Sequence, residues 1–343
     1  MLRWVAAGVV AVLAVAGCSS SGGSSGGSST TPAPTGTYLV MSPGPVLDAL
    51  GADPSGHPIV DILGHPANRV SGHLDLTTVE VGQPITGPSI PSAQHRPNAT
   101  VVPYGSVYPS SPAPRSTAGV VAGDVNSALA AAYCQLGYPK ALTVTSVETS
   151  GPAAHVLQPW DVLVSVAGRS VSTVDTLRAA LAAQPAGDTT VAVRRGGVAK
   201  TLTVRLGPAS ATARLGVSVD PRCVPPFTVR LNGLADIGGP AIGLMVALAV
   251  IDKLAAHPLS GTATVAGTGV VGADGRVGAV GAPRLELIGA RDEGARTFLV
   301  PSRNCAEVRG FLGTDADLIK VDTLQGAWQA LLDRQSGRPV PHC

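Results

Sequence analysis

A long apolar helix, predicted to start at Pro240 and run to about Leu254, constrains the fold more than any other stretch. Leu244, Met245, Leu248, Ile251 and Leu254 recur at helical spacing, so this helix belongs in a core. Pro240 suits a first helical turn, where a missing N–H costs nothing. Gly238 and Gly239 precede it. The free N–H groups of such a helix start can stabilise an anion. The chain has 343 residues, enough for two or three domains. Its hydrophobic content of 45% is ample for packed cores, although aromatics make up only 3%. A net charge of +2 without a basic run argues against nucleic acid or strong attraction to anionic lipid.

The N-terminus reads as an address. Arg3 precedes an apolar run over residues 4–16. That is too short for the roughly 20 residues of a membrane-spanning helix and fits a signal peptide instead. The run ends Val15-Ala16-Gly17-Cys18, which resembles a bacterial lipobox. The resemblance implies cleavage after residue 17, a diacylglycerol on Cys18, and an anchor in the cell membrane at its extracytoplasmic face. A plain secretory signal with an incidental cysteine is the alternative. Residues 18–37 then form a Ser- and Gly-rich tether, which cannot build a core and reaches roughly 20–25 Å as a coil.

Four further cysteines remain: Cys134, Cys223, Cys305 and Cys343. Outside the cytoplasm an even count suggests disulfides, and three pairings are possible. The favoured one joins Cys305 to Cys343 and Cys134 to Cys223; buried, reduced cysteines are the alternative. No Cys-x-x-Cys occurs, so neither a redox motif nor a zinc knuckle is supported.

Residues 38–120 read as a β-rich segment with short apolar runs at 38–41 and 59–63 and period-two alternation over 72–81. His57, His65 and His73 recur every eight residues; without a carboxylate cluster in the pattern they read as turn or surface histidines, and no metal is expected. Residues 82–118 are rich in Pro and Ser and are expected to form a long loop. A helix is predicted over 125–136, ended by Gly137. Gly151-Pro152-Ala153-Ala154, followed by Leu157-Gln158-Pro159-Trp160-Asp161, resembles the PDZ pattern Ser-Pro-Ala…Leu-x-Pro-Gly-Asp, with Trp160 at the usual glycine. The resemblance covers a PDZ domain at 125–207. It implies capture of an extended polypeptide or a protein C-terminus by strand addition. The groove would lie between the strand at 142–147 and the helix at 173–183, lined by Leu142, Val144 and Leu177; the alternative is that these three residues only pack the PDZ core. The loop 137–140 would supply N–H groups to a carboxylate.

The segment Gly239-Pro240-Ala241-Ile242-Gly243 resembles the Lon-type peptidase motif Gly-Pro-Ser-Ala-Gly, with Ala241 where the nucleophilic serine stands. Gly281-Ala282-Pro283-Arg284-Leu285-Glu286 is similar to the family's Gly-Gly-(Ile/Leu)-x-x-Lys, with Glu286 at the basic lysine. Thr268, in a segment that looks like the family's hairpin, stands where members keep a threonine near the dyad. The resemblance covers 212–335, leaving a tail at 336–343. The expected fold class is α+β: signal peptide and tether, β-rich segment, PDZ domain and Lon-type α/β domain. A methyl group cannot attack a carbonyl, and Arg284, the nearest cation, is a poor base. The expectation is therefore a lipid-anchored, non-catalytic polypeptide binder. No Gly-x-x-x-x-Gly-Lys-(Ser/Thr) loop occurs, so neither ATP nor another cofactor is implied. Glu286 is expected to pair with an arginine or to lie exposed, with a carboxylate metal site shared with Asp236 as a remote alternative. An active serine-type endopeptidase using Thr268 and a structural envelope lipoprotein are the competing readings.

Overall fold

A computed structural model describes residues 36–107, 118–208, 214–234, 240–256, 263–311 and 316–343. The signal peptide, Cys18 and most of the tether lie outside the described residues, as do Asp236 and Gly239. Among the described residues no helix is long and apolar enough to cross a membrane.

Helix and strand are mixed, and the chain does not run from one domain to the next in series. Strands Thr264–Gly267, Thr297–Pro301 and Asp317–Val321 form a parallel sheet. Its fourth strand, His73–Leu76, comes from the β-rich N-terminal segment and pairs in parallel with Thr264–Gly267. Leu47–Asp48 adds an antiparallel edge. Such a sheet needs cover on both faces, and alternation along the strands supplies it. Val265, Leu299 and Ile319 face one core, with the helices Ala118–Gln135, Gly243–Leu254 and Leu324–Gln335. Ala266, Phe298 and Val300 face a second core against the helix Pro283–Asp292.

The helix Gly243–Leu254 is central, with ten consecutive residues from Leu244 to Lys253 buried. Its start is closely packed: a Cβ on Gly243 would lie 3.3 Å from the Val271 nitrogen and 3.4 Å from the Ala128 Cβ. A 3-10 turn, Pro240–Ile242, precedes it, so the α-helix proper starts three residues after Pro240.

The helix predicted at 125–136 extends over Ala118–Gln135 and does not belong to the PDZ core. Its Leu129, Ala132 and Tyr133 join the core of the central helix. The expected long loop at 82–118 is also partly ordered. Ile85–Thr86 and Thr100–Pro103 pair with Thr37–Pro43, and the helix Ser89–Gln94 buries Ile90 and Ala93. A few apolar residues with a sheet to pack on outweigh a Pro- and Ser-rich composition.

The PDZ unit is inserted between the two parts of this domain. One six-stranded sheet contains Lys140–Val147, Val162–Val166, Arg169–Ser170, Gly187–Arg195, Val198–Leu206 and Val217–Cys223. The helix Val174–Ala182 starts at Thr173 with reciprocal capping by Thr176. Ala167 and Gly168, both at positive φ, make the tight hairpin turn that such a geometry requires.

Both favoured disulfides are present. Cys134 joins Cys223, tying the long helix to the far end of the PDZ sheet, and Cys305 joins Cys343, tying the tail to the second core.

Candidate functional site

Two places carry the candidate chemistry. The first gathers three positions from three elements. Ala241 lies just before the central helix, and its carbonyl accepts the Gly269 N–H at 2.8 Å. Thr268 is next to Gly269 and fully buried. Glu286 lies in the first turn of the helix Pro283–Asp292 and is 3% exposed. The fold thus brings Ala241, Thr268 and Glu286 into one neighbourhood although 45 residues separate the outer two in sequence.

No nucleophile–base pair results. Ala241 offers only a methyl group. Burial is the main cause that lifts the Glu286 carboxyl to about 8; the facing Thr268 hydroxyl offsets part of the rise, and the charge of Glu307 adds to it. The approach between Thr268 and Glu286 falls short of a proper hydrogen bond. Among the described residues Thr268 Oγ1 and Glu286 Oε2 are both buried without a hydrogen-bond partner, a costly arrangement for polar atoms.

The expected arginine partner is not there. Arg284 donates from Nε to the Glu307 carbonyl at 2.7 Å and stacks over Phe311 at 5.1 Å. Neither ion pairing nor exposure of Glu286 holds among the described residues; the first turn of an amphipathic helix points it inward. The anion niche at the helix start is also partly filled. The Leu244 N–H donates to the Gly269 carbonyl at 3.0 Å, and Pro240 has no N–H to offer.

The second place is the PDZ sheet. The strand expected to bind peptide, Lys140–Val147, is interior: it pairs along seven positions with Val217–Cys223 and on its other side with Val162–Val166. Leu142, Val144 and Leu177 are 1%, 1% and 5% exposed, so they build the core and line no groove. The loop expected to receive a carboxylate is also engaged, since Gly137 and Tyr138 donate their N–H groups to Cys134 and Tyr133 and so close the preceding helix.

Among the described residues Val217–Cys223 ends the strand order on this side of the sheet, and Val198–Leu206 ends it on the other. Pro221 sits within Val217–Cys223, as edge strands tolerate and interior strands do not. Val217 and Val219, with Val174 and Leu181 of the helix, are half-buried around the same core. Arg214 ties the start of this strand to the helix end, donating to the carbonyls of Leu181 and Gln184. The apolar alternation Val217, Val219 after Gly216 was the available signal; it lies beyond the run that resembles a PDZ domain, which is why sequence reasoning passed over it.

Trp160 shows how the unit is held. It has a φ of +73°, where glycine is ordinarily needed. Its ring meets Tyr133 edge-on at 6.0 Å and lies under Arg222 at 5.9 Å. Tyr133 and Tyr138 are 6.2 Å apart, and Tyr138 and Phe227 5.6 Å. A chain poor in aromatics concentrates four of them where the PDZ unit joins the α/β domain. Inside the unit, Asp161 is fully buried and held by the Arg195 guanidinium through two contacts of 2.7 Å.

The three histidines in the eight-residue repeat do not converge. His57 faces Asp53, His65 stacks on Phe227, and His73 bonds Asp48.

A family model of the PDZ domain matches residues 95–206. The crystallised PDZ domain of an SdrC-like protein from Listeria monocytogenes is 18% identical, with a TM-score of 0.21, over 23% of this chain and 86% of that one. The corresponding domain from Listeria innocua is 17% identical, with a TM-score of 0.21, over 24% and 92%. No curated protein matches the chain. The chain contains a PDZ domain, and that domain gives it a peptide-binding or regulatory role.

Proposed function

We propose that this protein is a lipid-anchored, extracytoplasmic polypeptide binder, in which a PDZ domain is joined to a Lon-like peptidase domain that has lost its catalytic dyad. The observation that carries the reading is the site at Ala241: a methyl group at the nucleophile position and a buried carboxyl at the base position. A serine–lysine mechanism needs a hydroxyl and a neutral amine; these side chains provide neither. Thr268 supports no rescue, because its hydroxyl is fully buried and its neighbour Glu286 holds a proton up to about pH 8.

Binding falls to the PDZ unit. An extended peptide, or a protein C-terminus, adds to the open edge of Val217–Cys223 beside the helix Val174–Ala182, with backbone hydrogen bonds supplying affinity. The Cys18 lipobox and the tether support attachment at the membrane's outer face. Two disulfides fit that oxidising compartment.

The test is cleavage of an unfolded protein substrate by the full chain, beside the Ala241→Ser/Glu286→Lys double variant, together with peptide-library binding. The reading expects no cleavage by the natural chain and library peptides bound at the edge. Cleavage by the natural chain that is lost in Thr268→Val would establish an active peptidase instead. No peptide binding would leave a structural lipoprotein.

A further inference from the structure

The sheet edge formed by Leu47–Asp48 and His73–Leu76 brings together three side chains that the proposed function does not use. Asp48 stands directly opposite Asp75 in the antiparallel register. His73 lies two residues before Asp75, hence on the same face. One ligand atom from each of Asp48, His73 and Asp75 lies within 4.8 Å of the other two.

Two features distinguish this group from an ordinary acidic surface. The Asp48 carboxylate is fixed by backbone donors: Oδ1 accepts the N–H of Leu50 at 2.9 Å and of Leu74 at 3.1 Å, while Oδ2 meets His73 Nδ1 at 2.9 Å. Backbone bonds of this kind orient a ligand before an ion arrives. Asp75 is 6% exposed, and among the described residues no donor reaches its carboxylate. A buried carboxylate directly across from a second one is unfavourable without a compensating charge.

The surrounding charges do not supply enough compensation. Glu293, at the end of the helix Pro283–Asp292, adds a further negative charge near Asp75. Lys253 is drawn to Asp48, but also to Asp61 and Asp252, and its ammonium donates to the Val60 carbonyl at 2.7 Å. It does not reach Asp75.

We propose that Asp48, His73 and Asp75 bind a divalent transition-metal ion, Zn²⁺ or Mn²⁺. One imidazole nitrogen and two carboxylate oxygens suit these ions, and three protein ligands leave a position for water. Donors around a tetrahedral ion lie about 3.4 Å apart at ordinary bond lengths, so on binding the 2.9 Å His73–Asp48 contact opens slightly while the other donors, within 4.8 Å, settle to that spacing. His73 provides that movement, since its side chain is 58% exposed. The ion would pin the short edge strand to the parallel sheet, well away from Ala241 and from the PDZ edge in sequence.

The test uses the full chain with both disulfides intact, stripped with chelator, then titrated with Zn²⁺ and with Mn²⁺ by calorimetry and by metal analysis. Wild type is expected to bind one ion and to gain thermal stability. Asp75→Asn and His73→Ala are each expected to weaken binding at least about tenfold, while His57→Ala leaves it unchanged. His73→Ala guards against misfolding, because that side chain is exposed. No binding at millimolar metal, or equal binding by wild type and both variants, would overturn the proposal. A midpoint raised by Asp75→Asn without metal, together with no binding by wild type, would identify a proton-sharing carboxylate pair instead.

Discussion

The open edge at Val217–Cys223 and the closed site at Ala241, Thr268 and Glu286 lie in the two halves of one molecule and have opposite characters. The edge ends the strand order among the described residues, with half-buried valines along it. The site is buried, and among the described residues Thr268 Oγ1 and Glu286 Oε2 have no hydrogen-bond partner. A strand edge needs no particular side chain to bind a peptide, whereas acyl transfer needs specific atoms at specific places. The two regions are also mechanically joined: Cys223 ends the open strand and pairs with Cys134 on the helix that packs against the central helix.

Breaking that joint has the largest expected effect. The Cys134–Cys223 bond spans 89 residues, and replacing both cysteines with alanine is expected to cost about 4–5 kcal/mol on a chain-entropy basis. Denaturant unfolding measures it. A loss of under about 1 kcal/mol would mean that the aromatic junction alone holds the two halves.

Core and edge are separated next. Leu142→Ala is expected to destabilise the PDZ unit by about 2–4 kcal/mol and to weaken peptide binding only through unfolding. Hydrogen exchange complements it: amides on the outer side of Val217–Cys223 should exchange quickly and become protected by a bound peptide, while those of Lys140–Val147 stay protected throughout. Slow exchange along both strands without peptide would contradict an open edge.

The closed site has a pH signature. The unfolded chain releases the Glu286 proton near the ordinary 4.5 and the folded site near 8. Between those values the folded state holds the extra proton. Its stabilising effect is complete below 4.5 and is lost as pH rises through 8. Asp75, raised to about 6 by burial, contributes only to the lower part of this window. From pH 6 to 8 the natural chain should therefore lose about 2–3 kcal/mol that Glu286→Gln retains. Parallel pH profiles for the two proteins would refute a buried carboxyl.

Trp160→Gly should have the smallest effect on stability. It relieves a left-handed backbone worth about 1–2 kcal/mol and removes aromatic and cation–π contacts of similar size. The expected change is within about 1 kcal/mol. Distances measured by spin labels across the junction should nevertheless broaden. An unchanged distribution would show that the disulfide suffices to fix the orientation.

Local patterns were legible from sequence wherever neighbouring residues decide them. The central helix and the helix expected at 173–183 follow from apolar spacing. The methyl at Ala241 and the carboxyl at Glu286 could be read by position. The burial of Glu286, with Thr268 as its facing group, could not, because it depends on a sheet and a helix meeting from distant parts of the chain.

The sequence by itself determined which side chains are available: five cysteines, a methyl at 241, a carboxyl at 286, a tryptophan where a glycine usually turns, and a His73-Leu74-Asp75 alternation. Tertiary structure alone decided that His73–Leu76 pairs with the distant strand Thr264–Gly267, that Val217–Cys223 and not Lys140–Val147 ends the strand order on its side of the sheet, and that Asp48 faces Asp75. Strand pairing between distant segments is chosen by the total burial it achieves, and no local window of sequence contains that sum.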